Sequence, residues 1–381
     1  MAILVALSVI RYERFASKRH FGDFHVYHVT GERLLERSEI YIEQEEKITP
    51  FKYSPLVASW FALLALLPEN WAAGIWHVLN LAMLFACFYI GWLLISEKRA
   101  VLITFICVSP PTLHCLNSGQ VGFAITLFYY LGIYFAICDR PFFSAFFFVA
   151  SAMFKFLPLM VIPYFLFQRN FRFLIWSMAM FIFFHLAPAL WLGWDQNLHY
   201  LKSFIPHITA TTLDHVSLLD FKNQSIWAYL YRLIYYDFGI SQIAAHPKYL
   251  TWMGAGLLGV IYTLIVFRKN RTGKLGILID LSVIGILIVI FNPNAWKHNF
   301  VLLILPCMLV AAHWLAKPKL NFNAVTLLLV MIAFVLTNRS VFGWALRHDA
   351  MSLSILPITS LVLILALLRM EPTHHSLLQG K

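Results

Sequence analysis

The chain has 381 residues, of which 60% are hydrophobic and only 12% are charged, against roughly 25% charged residues in a typical soluble domain. Its 29 Lys and Arg residues outnumber its 18 Asp and Glu residues, which gives a formal net charge of +11. This composition excludes a soluble globular enzyme, a disordered tail protein and a coiled coil, because too little polar surface exists to cover so much Phe, Leu and Ile. The class that remains is an all-α polytopic membrane protein.

The predicted elements begin with a short, partial membrane helix in residues 1–10, which resembles a signal sequence without a small-residue cleavage site. The next stretch, residues 11–52, carries eight Lys or Arg and eight Asp or Glu, so we expect a first outer loop. Within it, residues 24–41 have apolar residues at helical spacing, which predicts an interfacial helix. Residues 53–68 follow, and their apolar part is short enough to indicate a re-entrant or surface helix.

The remaining apolar runs, together with the first helix, predict about twelve crossings in a single integral membrane domain over residues 1–381. A second polar region at 194–248 interrupts them. The runs lie near 71–95, 100–115, 121–138, 141–154, 156–168, 172–193, 249–267, 275–291, 299–315, 322–338 and 354–368.

The cationic residues predict the orientation, because Lys and Arg are enriched in short cytoplasmic loops. With a cytoplasmic N-terminus, the cytoplasmic loops and tail contain thirteen Lys or Arg and only three acids, Glu97, Asp139 and Glu371. Both polar regions then face outside. Since the cations punctuate apolar runs instead of forming a basic domain, we expect no nucleic-acid partner. The five loops lie at 96–100, 138–142, 168–172, 267–274 and 316–319.

Asp23 follows the first helix and stands between aromatic residues at the expected membrane surface. A carboxylate there can have a raised pKa, which suits a general base. The alternative is that Asp23 caps the helix that follows. His25 and His28 could share a helix face, but without a further ligand they predict no metal site.

Two further polar groups stand next to apolar runs. Asn117 and Gln120 flank a Ser-Gly pair at the outer end of a crossing, where amides could bind sugar hydroxyls; the alternative is a plain turn. Lys155 lies between two Phe residues in an apolar stretch. It either meets a phosphate or a carboxylate, or extends its ammonium to the membrane surface.

Asn223 and Gln224 precede an amphipathic segment that carries Arg232. A guanidinium suits phosphate recognition because its planar donor fork matches phosphate oxygens. The alternative is an interfacial helix with a capping Asn and an anchoring Arg.

Trp296, Lys297 and His298 lie at the outer end of an apolar hairpin. The imidazole could hydrogen-bond a phosphate or a hydroxyl, whereas the indole could be an ordinary membrane-belt aromatic. The predicted topology brings all these polar groups to one membrane face. Together they predict an outward cavity for an anionic, partly lipidic substrate.

The order of these motifs resembles one family, the polyprenol-phosphate-mannose-dependent alpha-mannosyltransferases among the membrane-embedded GT-C glycosyltransferases. The resemblance covers about residues 20–310. Its motifs are D-F-x-V-Y, Y-S-P-L, N-S-G-Q, a membrane Lys followed by Pro, N-Q-S-x6-R and N-P-N-A-W-K-H-N.

The resemblance implies a GT-C-type helical bundle whose long first outer loop supplies the catalytic carboxylate, here Asp23. It matches Trp296 and His298 to the family's Trp-x-His element. The remaining matched positions are implied donor or acceptor contacts: Gln120, Lys155, Asn223 and Arg232. The chain departs from the family in its shorter first helix and in the residues that flank the imidazole.

The implied reaction is a one-step inverting transfer of a hexose from a polyprenyl-phosphate donor to a glycolipid, glycan or protein hydroxyl. The site would face the extracytoplasmic side of a bacterial inner membrane, with no cofactor expected and a divalent metal left open. The alternatives are a transporter or flippase of an anionic lipid, another GT-C branch that modifies lipid A, and a structural scaffold.

Overall fold

The computed structural model describes residues 22–42, 49–212, 215–237, 254, 256–260, 262, 273–316 and 318–370. Over these residues the regular structure is helical, and no strand is present in them. The predicted first membrane helix lies outside the described residues, as does most of the run near 249–267.

Seventeen numbered α-helices, from α1 to α17, follow the chain in the described part. In order, they are Asp23–Leu35, Pro55–Ala65, Glu69–Ile95, Lys98–Ser118, Gly122–Ile137, Pro141–Phe154, Val161–Phe167, Phe171–Leu186, Ala189–Leu192, Trp194–Thr212, His215–Leu219, Ile226–Arg232, Lys274–Ile290, Ile304–Ala316, Phe322–Leu336, Arg339–Ser352 and Ile355–Leu368. Tighter 3-10 turns occupy Leu157–Met160 and Lys297–Leu303, and a π-helical turn occupies Leu233–Asp237.

Four described helices are long and apolar enough to cross a membrane, and a bent pair makes a fifth if it counts as one span. The chain is therefore a helical membrane protein, while the expected twelve crossings stay a prediction. Several predicted runs form shorter helices; α6, with 14 residues, is about 21 Å long against ~30 Å of hydrocarbon. The spans are Glu69–Ile95, Lys98–Ser118, Phe171–Leu192, Lys297–Ala316 and the pair Gly343–Ser352 with Ile355–Leu368.

The larger apolar core surrounds α13 and α14. Helix α13 is buried at nearly every position, as expected of a helix that is apolar all round and lies inside a bundle. The chain between these helices, residues 291–303, is mostly buried as well. This segment includes Trp296, Lys297 and His298, so these three residues are packed against the larger core.

A second apolar core joins α1 and α2 to α6 and α10. A helix is present where the interfacial helix was predicted, as α1, although it ends at Leu35 instead of continuing to Tyr41. Gly31 lets α1 approach α2 closely, because a Cβ at this position would lie 2.6 Å from the carbonyl oxygen of Phe61. The close contact fixes α1, and with it Asp23, against the bundle.

Candidate active site

Asp23 is placed by the contact between the start of α1 and the end of α4. The preceding residue, Gly22, has φ +59°, and a Cβ there would lie 3.0 Å from the carbonyl oxygen of Ser118. Gly22 occupies the N-cap position, while Asp23 is the first helical residue. The carboxylate accepts a hydrogen bond from Gln120, so it does not serve as the helix cap.

The end of α4 forms a turn that directs Gln120 towards Asp23. Gly119 has φ +65°, its N–H donates to Leu116 O at 3.3 Å, and the N–H of Gln120 donates to Cys115 O at 3.2 Å. These two bonds make a Schellman motif, which favours Gly at this position. Trp76 Nε1 also donates to Gly119 O at 2.7 Å. The N-S-G-Q segment is thus a helix-ending turn that also presents an amide to a carboxylate.

Asp23 lines an open cavity with a volume of about 520 Å³. The cavity brings together side chains from α1, α4, the segment after α6 and the segment after α13. Five of the residues predicted from sequence line it: Asp23, Gln120, Lys155, Trp296 and His298.

The environment of Asp23 favours a proton acceptor that titrates above an ordinary aspartate. Burial raises the pKa of Asp23, and the hydrogen bond from Gln120 and the positive charge of Lys155 partly oppose that rise. A base with a raised pKa binds a proton more readily than an ordinary aspartate does.

Lys155 supplies positive charge on the cavity wall. It directly follows α6 as the C-cap residue, and its Nζ donates to Asn299 Oδ1 at 2.9 Å. Asn299 in turn donates through Nδ2 to Asn294 O at 2.9 Å. Among the described residues Lys155 makes no ion pair, so a neutral amide holds the ammonium beside the cavity.

The imidazole of His298 lies next to that of His114, with ring centroids 5.8 Å apart and nearly parallel planes. Both rings line the cavity. His298 is only 7% exposed, because the 3-10 turn that begins at Lys297 is buried in the bundle. The structure therefore places imidazole, ammonium and carboxylate on one cavity.

Three predicted binding residues lie elsewhere, in a buried loop network. Asn223 donates to Ser217 O at 3.1 Å and to Pro293 O at 2.7 Å, and its Oδ1 accepts from the N–H groups of Ser225 and Ala295. Its amide is fully used by protein groups. Asn223 is outside the cavity lining, and its hydrogen bonds join the loops that contain Ser217 and Pro293.

Gln224 and Arg232 belong to the same network and do not line the cavity. Gln224 Nε2 donates to Phe221 O and Met351 O, both at 2.8 Å. Arg232 donates to the carbonyls of Asp220 and Asn223 and, through Nη2, to Ser354 Oγ at 2.6 Å. The guanidinium of Arg232, which suggested phosphate recognition, thus binds two backbone oxygens and a serine hydroxyl.

Lys297 and Asn117 are also outside the cavity lining. Lys297 is 8% exposed, and its Nζ lies 3.5 Å from Phe334 O and 3.3 Å from Thr337 O. These carbonyls are at the C-terminal end of α15, where a cation is favourable. Asn117 is exposed near the end of α4.

The two histidines near Asp23 have protein partners. His25 Nδ1 lies 2.7 Å from Glu69 Oε1, and His28 Nε2 lies 3.0 Å from Leu67 O. Within the described ranges no group of three His, Cys, Asp or Glu residues is arranged to hold a metal ion.

Sequence reasoning missed several polar residues of the cavity. His114 precedes Asn117 by one helical turn, and Lys52 directly precedes the Y-S-P-L motif, so their positions carried a signal. Four further residues belong to the quoted motifs, but neighbouring residues of those motifs were selected as site residues instead: Tyr27, Tyr53, Asn292 and Asn294. The missed polar lining residues are Tyr27, Thr49, Lys52, Tyr53, His114, Ser217, Asn292 and Asn294.

One family model matches the chain, that of glycosyltransferase family 87, over residues 51–293. The match covers more than half of the sequence and includes Lys155 and Gln120, while Asp23, Trp296 and His298 lie outside it. The comparison with curated proteins gave no match. The roles of Asp23 and His298 therefore rest on the geometry of the cavity.

Proposed function

The chain belongs to glycosyltransferase family 87, and from that premise we propose that it transfers a hexose from a polyprenyl-phosphate donor to an acceptor hydroxyl. The proposed sugar is mannose, as the resemblance to the mannosyltransferases implies. The acceptor is a glycolipid, a glycan or a protein on the extracytoplasmic side. The transfer inverts the configuration of the anomeric carbon.

The observation that carries this proposal is the shared cavity of Asp23, Lys155 and His298. The cavity lining thus combines a partly buried carboxylate with an ammonium and an imidazole. This set of groups suits a displacement reaction, in which the attacking hydroxyl loses a proton and the leaving group gains negative charge.

In the proposed mechanism, the carboxylate of Asp23 takes the proton of the acceptor hydroxyl. The acceptor oxygen then forms a bond to the anomeric carbon from the face opposite the phosphate. The bond between that carbon and the phosphate oxygen breaks, and the oxygen keeps the electron pair. Polyprenyl phosphate leaves with an additional negative charge, which Lys155 and an N–H of His298 stabilise.

Two features favour a lipid-linked donor over a nucleotide sugar. The sequence contains no Asp-x-Asp motif, which nucleotide-sugar enzymes commonly use to hold the diphosphate through a metal. The cavity wall beside Lys155 is apolar and includes Phe154, Phe156 and Leu157. A cation that adjoins an apolar wall matches a phosphate joined to an isoprenoid tail.

The origin of the lining residues favours an extracytoplasmic site. The lining residues come from segments that the charge pattern puts outside or at the outer ends of crossings. None of the described lining residues comes from the five cationic loops that are predicted to be cytoplasmic. The proposed location is a bacterial inner membrane with the cavity open to the outer side.

The experiment that tests this function compares donors. Purified protein in lipid nanodiscs is incubated with crude membrane acceptors and either polyprenyl-phosphate mannose or a nucleotide-linked mannose, each with a radiolabelled sugar. We expect labelled product from the lipid-linked donor, with inverted anomeric linkage. Transfer from the nucleotide donor alone, or a product with retained configuration, would contradict the proposal.

A further inference from the structure

A chain of hydrogen bonds runs from two tyrosines to the carboxylate of Asp23. Tyr27 Oη lies 3.1 Å from Tyr53 Oη and donates to Gln120 Oε1 at 3.0 Å. Gln120 Nε2 then donates to Asp23 Oδ2. Tyr27, Tyr53 and Gln120 are 2%, 8% and 8% exposed, so little water competes for these groups.

The hydroxyl of Tyr27 and the carboxylate of Asp23 together determine which end of the Gln120 amide faces Asp23. The two ends have nearly the same shape but opposite hydrogen-bonding character, since the oxygen accepts and the nitrogen donates. The ionised carboxylate can only accept, so the nitrogen points towards Asp23, and the hydrogen bond from the Tyr27 hydroxyl to the oxygen stabilises this orientation. The Tyr27 proton is then committed, so Tyr53 is the donor in the first bond. Every donor in the chain points towards Asp23.

We propose that Gln120 is a positioning residue for Asp23, that Tyr27 fixes the orientation of its amide, and that neither residue binds the donor or the acceptor. This inference rests on the proposed function, in which Asp23 accepts the proton of the acceptor hydroxyl. The amide occupies Oδ2 and restricts rotation of the carboxylate. Oδ1 is then the oxygen that receives the proton.

Other titratable groups also face this part of the cavity, and they set the background for a pH measurement. They lie on α1, in the segment before α2, on α4, and in the segments that follow α6 and α13. These groups are Tyr27, Lys52, Tyr53, His114, Cys115, Lys155 and His298. Gln120→Leu leaves all these side chains unchanged, and Tyr27→Phe removes only the hydroxyl of Tyr27.

The test is the pH dependence of kcat/KM for sugar transfer. Transfer needs ionised Asp23, so the rate falls as the pH drops through the pKa of Asp23. A donated hydrogen bond favours the ionised form. Its loss in Gln120→Leu raises that pKa, and the acid limb should move to higher pH by about one unit. Tyr27→Phe should move it in the same direction, because the released amide can rotate and accept a proton from neutral Asp23.

Tyr41→Phe is the matched control for Tyr27→Phe. Tyr41 is a buried tyrosine of the same core, and its hydroxyl donates to the backbone oxygen of Tyr53 at 2.9 Å, outside the chain to Asp23. We expect its acid limb to coincide with that of the unmodified protein. Tyr27→Phe keeps the ring packing, so it still tests the positioning role if Gln120→Leu lowers the stability of the protein.

The outcomes separate this inference from the proposed function. If Asp23→Asn is inactive while Gln120→Leu and Tyr27→Phe keep the original acid limb, the positioning role is wrong. The assignment of Asp23 as the base is then unaffected. A higher KM for the donor with an unmoved acid limb would also overturn it, because that result assigns Gln120 to substrate binding. Full transfer by Asp23→Asn would instead refute the proposed function.

Discussion

The ammonium of Lys155 is held by an amide oxygen, without a carboxylate partner among the described residues. Keeping a cation beside an apolar wall is costly, which favours a role with an anionic ligand. We predict that Lys155→Met lowers the transfer rate by about a hundredfold, because the leaving phosphate loses electrostatic stabilisation. Single-turnover kinetics with saturating donor measure this effect.

Lys222→Met is the control for that substitution. Lys222 is outside the cavity lining, is largely exposed, and pairs with Asp220 at 3.8 Å. An exposed pair contributes little, so we expect an unchanged transfer rate. Equal losses in both variants would show that general charge, and not the cavity cation, accounts for the effect.

At the scale of single residues, the sequence indicated Asp23, Lys155 and His298 because ionisable groups near apolar runs are costly and therefore conspicuous. The same reasoning assigned Asn223 and Arg232 to the substrate. It could not show that backbone carbonyls brought near by folding would bind both side chains. Such carbonyls carry no signature in the sequence, so buried structural polar residues and ligand-binding ones look alike.

Asn223 couples the loop before α12 to the loop after α13. Asn223→Ala would leave the carbonyls of Ser217 and Pro293 and two N–H groups without this partner. Each unmade buried hydrogen bond is costly, so we expect a loss of about 2 kcal/mol or more in unfolding free energy. Thermal unfolding in detergent should show a clear drop in Tm.

Asn117→Ala is the comparison for Asn223→Ala, since both amides were predicted from sequence to bind substrate. Asn117 is exposed and does not line the cavity. We expect its Tm and its transfer rate to stay near those of the unmodified protein. A fall in transfer rate without a fall in Tm would return Asn117 to the binding site.

The contact between α1 and α2 depends on Gly31. A methyl group at this position would lie 2.6 Å from Phe61 O, and backbone atoms cannot yield as a flexible side chain can. We predict that Gly31→Ala costs about 1–3 kcal/mol of stability and lowers transfer, since α1 carries Asp23. Unfolding in detergent and transfer assays on the same preparation measure both effects.

Gly256→Ala provides the reference for that prediction. Gly256 lies in the helical segment 256–260, and a Cβ there would meet no atom within 4 Å. Alanine favours a helix over glycine, so stability should stay equal or rise slightly. A similar loss in both variants would contradict the steric explanation for Gly31.

At the scale of elements, helical spacing correctly predicted a helix that begins near Asp23, while its place at the membrane surface stays a prediction. Its end was predicted too late, because the apolar residues Ile40 and Tyr41 continue the pattern beyond the helix. They pack in the second core from a segment without helix or strand. Periodicity records which residues are buried, but it does not record which backbone conformation buries them.

For the whole molecule, the orientation in the membrane can be tested with the native cysteines. Cys138 is exposed, while the other four cysteines are buried. Since the charge pattern puts Cys138 in a cytoplasmic loop, we predict that a membrane-impermeant maleimide labels it in inside-out vesicles and not in right-side-out vesicles.

Lys222→Cys in a Cys138→Ser background should show the opposite pattern, because residue 222 belongs to the second outer region. Mass spectrometry of the labelled peptides reads both experiments. Labelling of Cys138 from the outer side would invert the predicted topology and place the cavity opening in the cytoplasm.

The composition alone sufficed to predict a helical membrane protein, since so few charged residues cannot cover a soluble core. The crossing count was harder to predict. Apolar runs near 141–154 and 156–168 were counted separately, whereas the structure has short helices on either side of Lys155. High hydropathy shows that a segment is apolar. It does not distinguish a helix that spans the membrane from a shorter helix buried in the bundle, so the number of crossings cannot be counted from apolar runs alone.

Single-turnover transfer from polyprenyl-phosphate mannose tests most directly whether Asp23 is the base for sugar transfer. Asp195→Asn is the control, because Asp195 also lies in the first turn of a helix but is exposed and outside the cavity lining. We predict that Asp23→Asn binds the donor normally and transfers sugar about a thousandfold more slowly, while Asp195→Asn transfers at the original rate. Unimpaired transfer by Asp23→Asn would contradict the account.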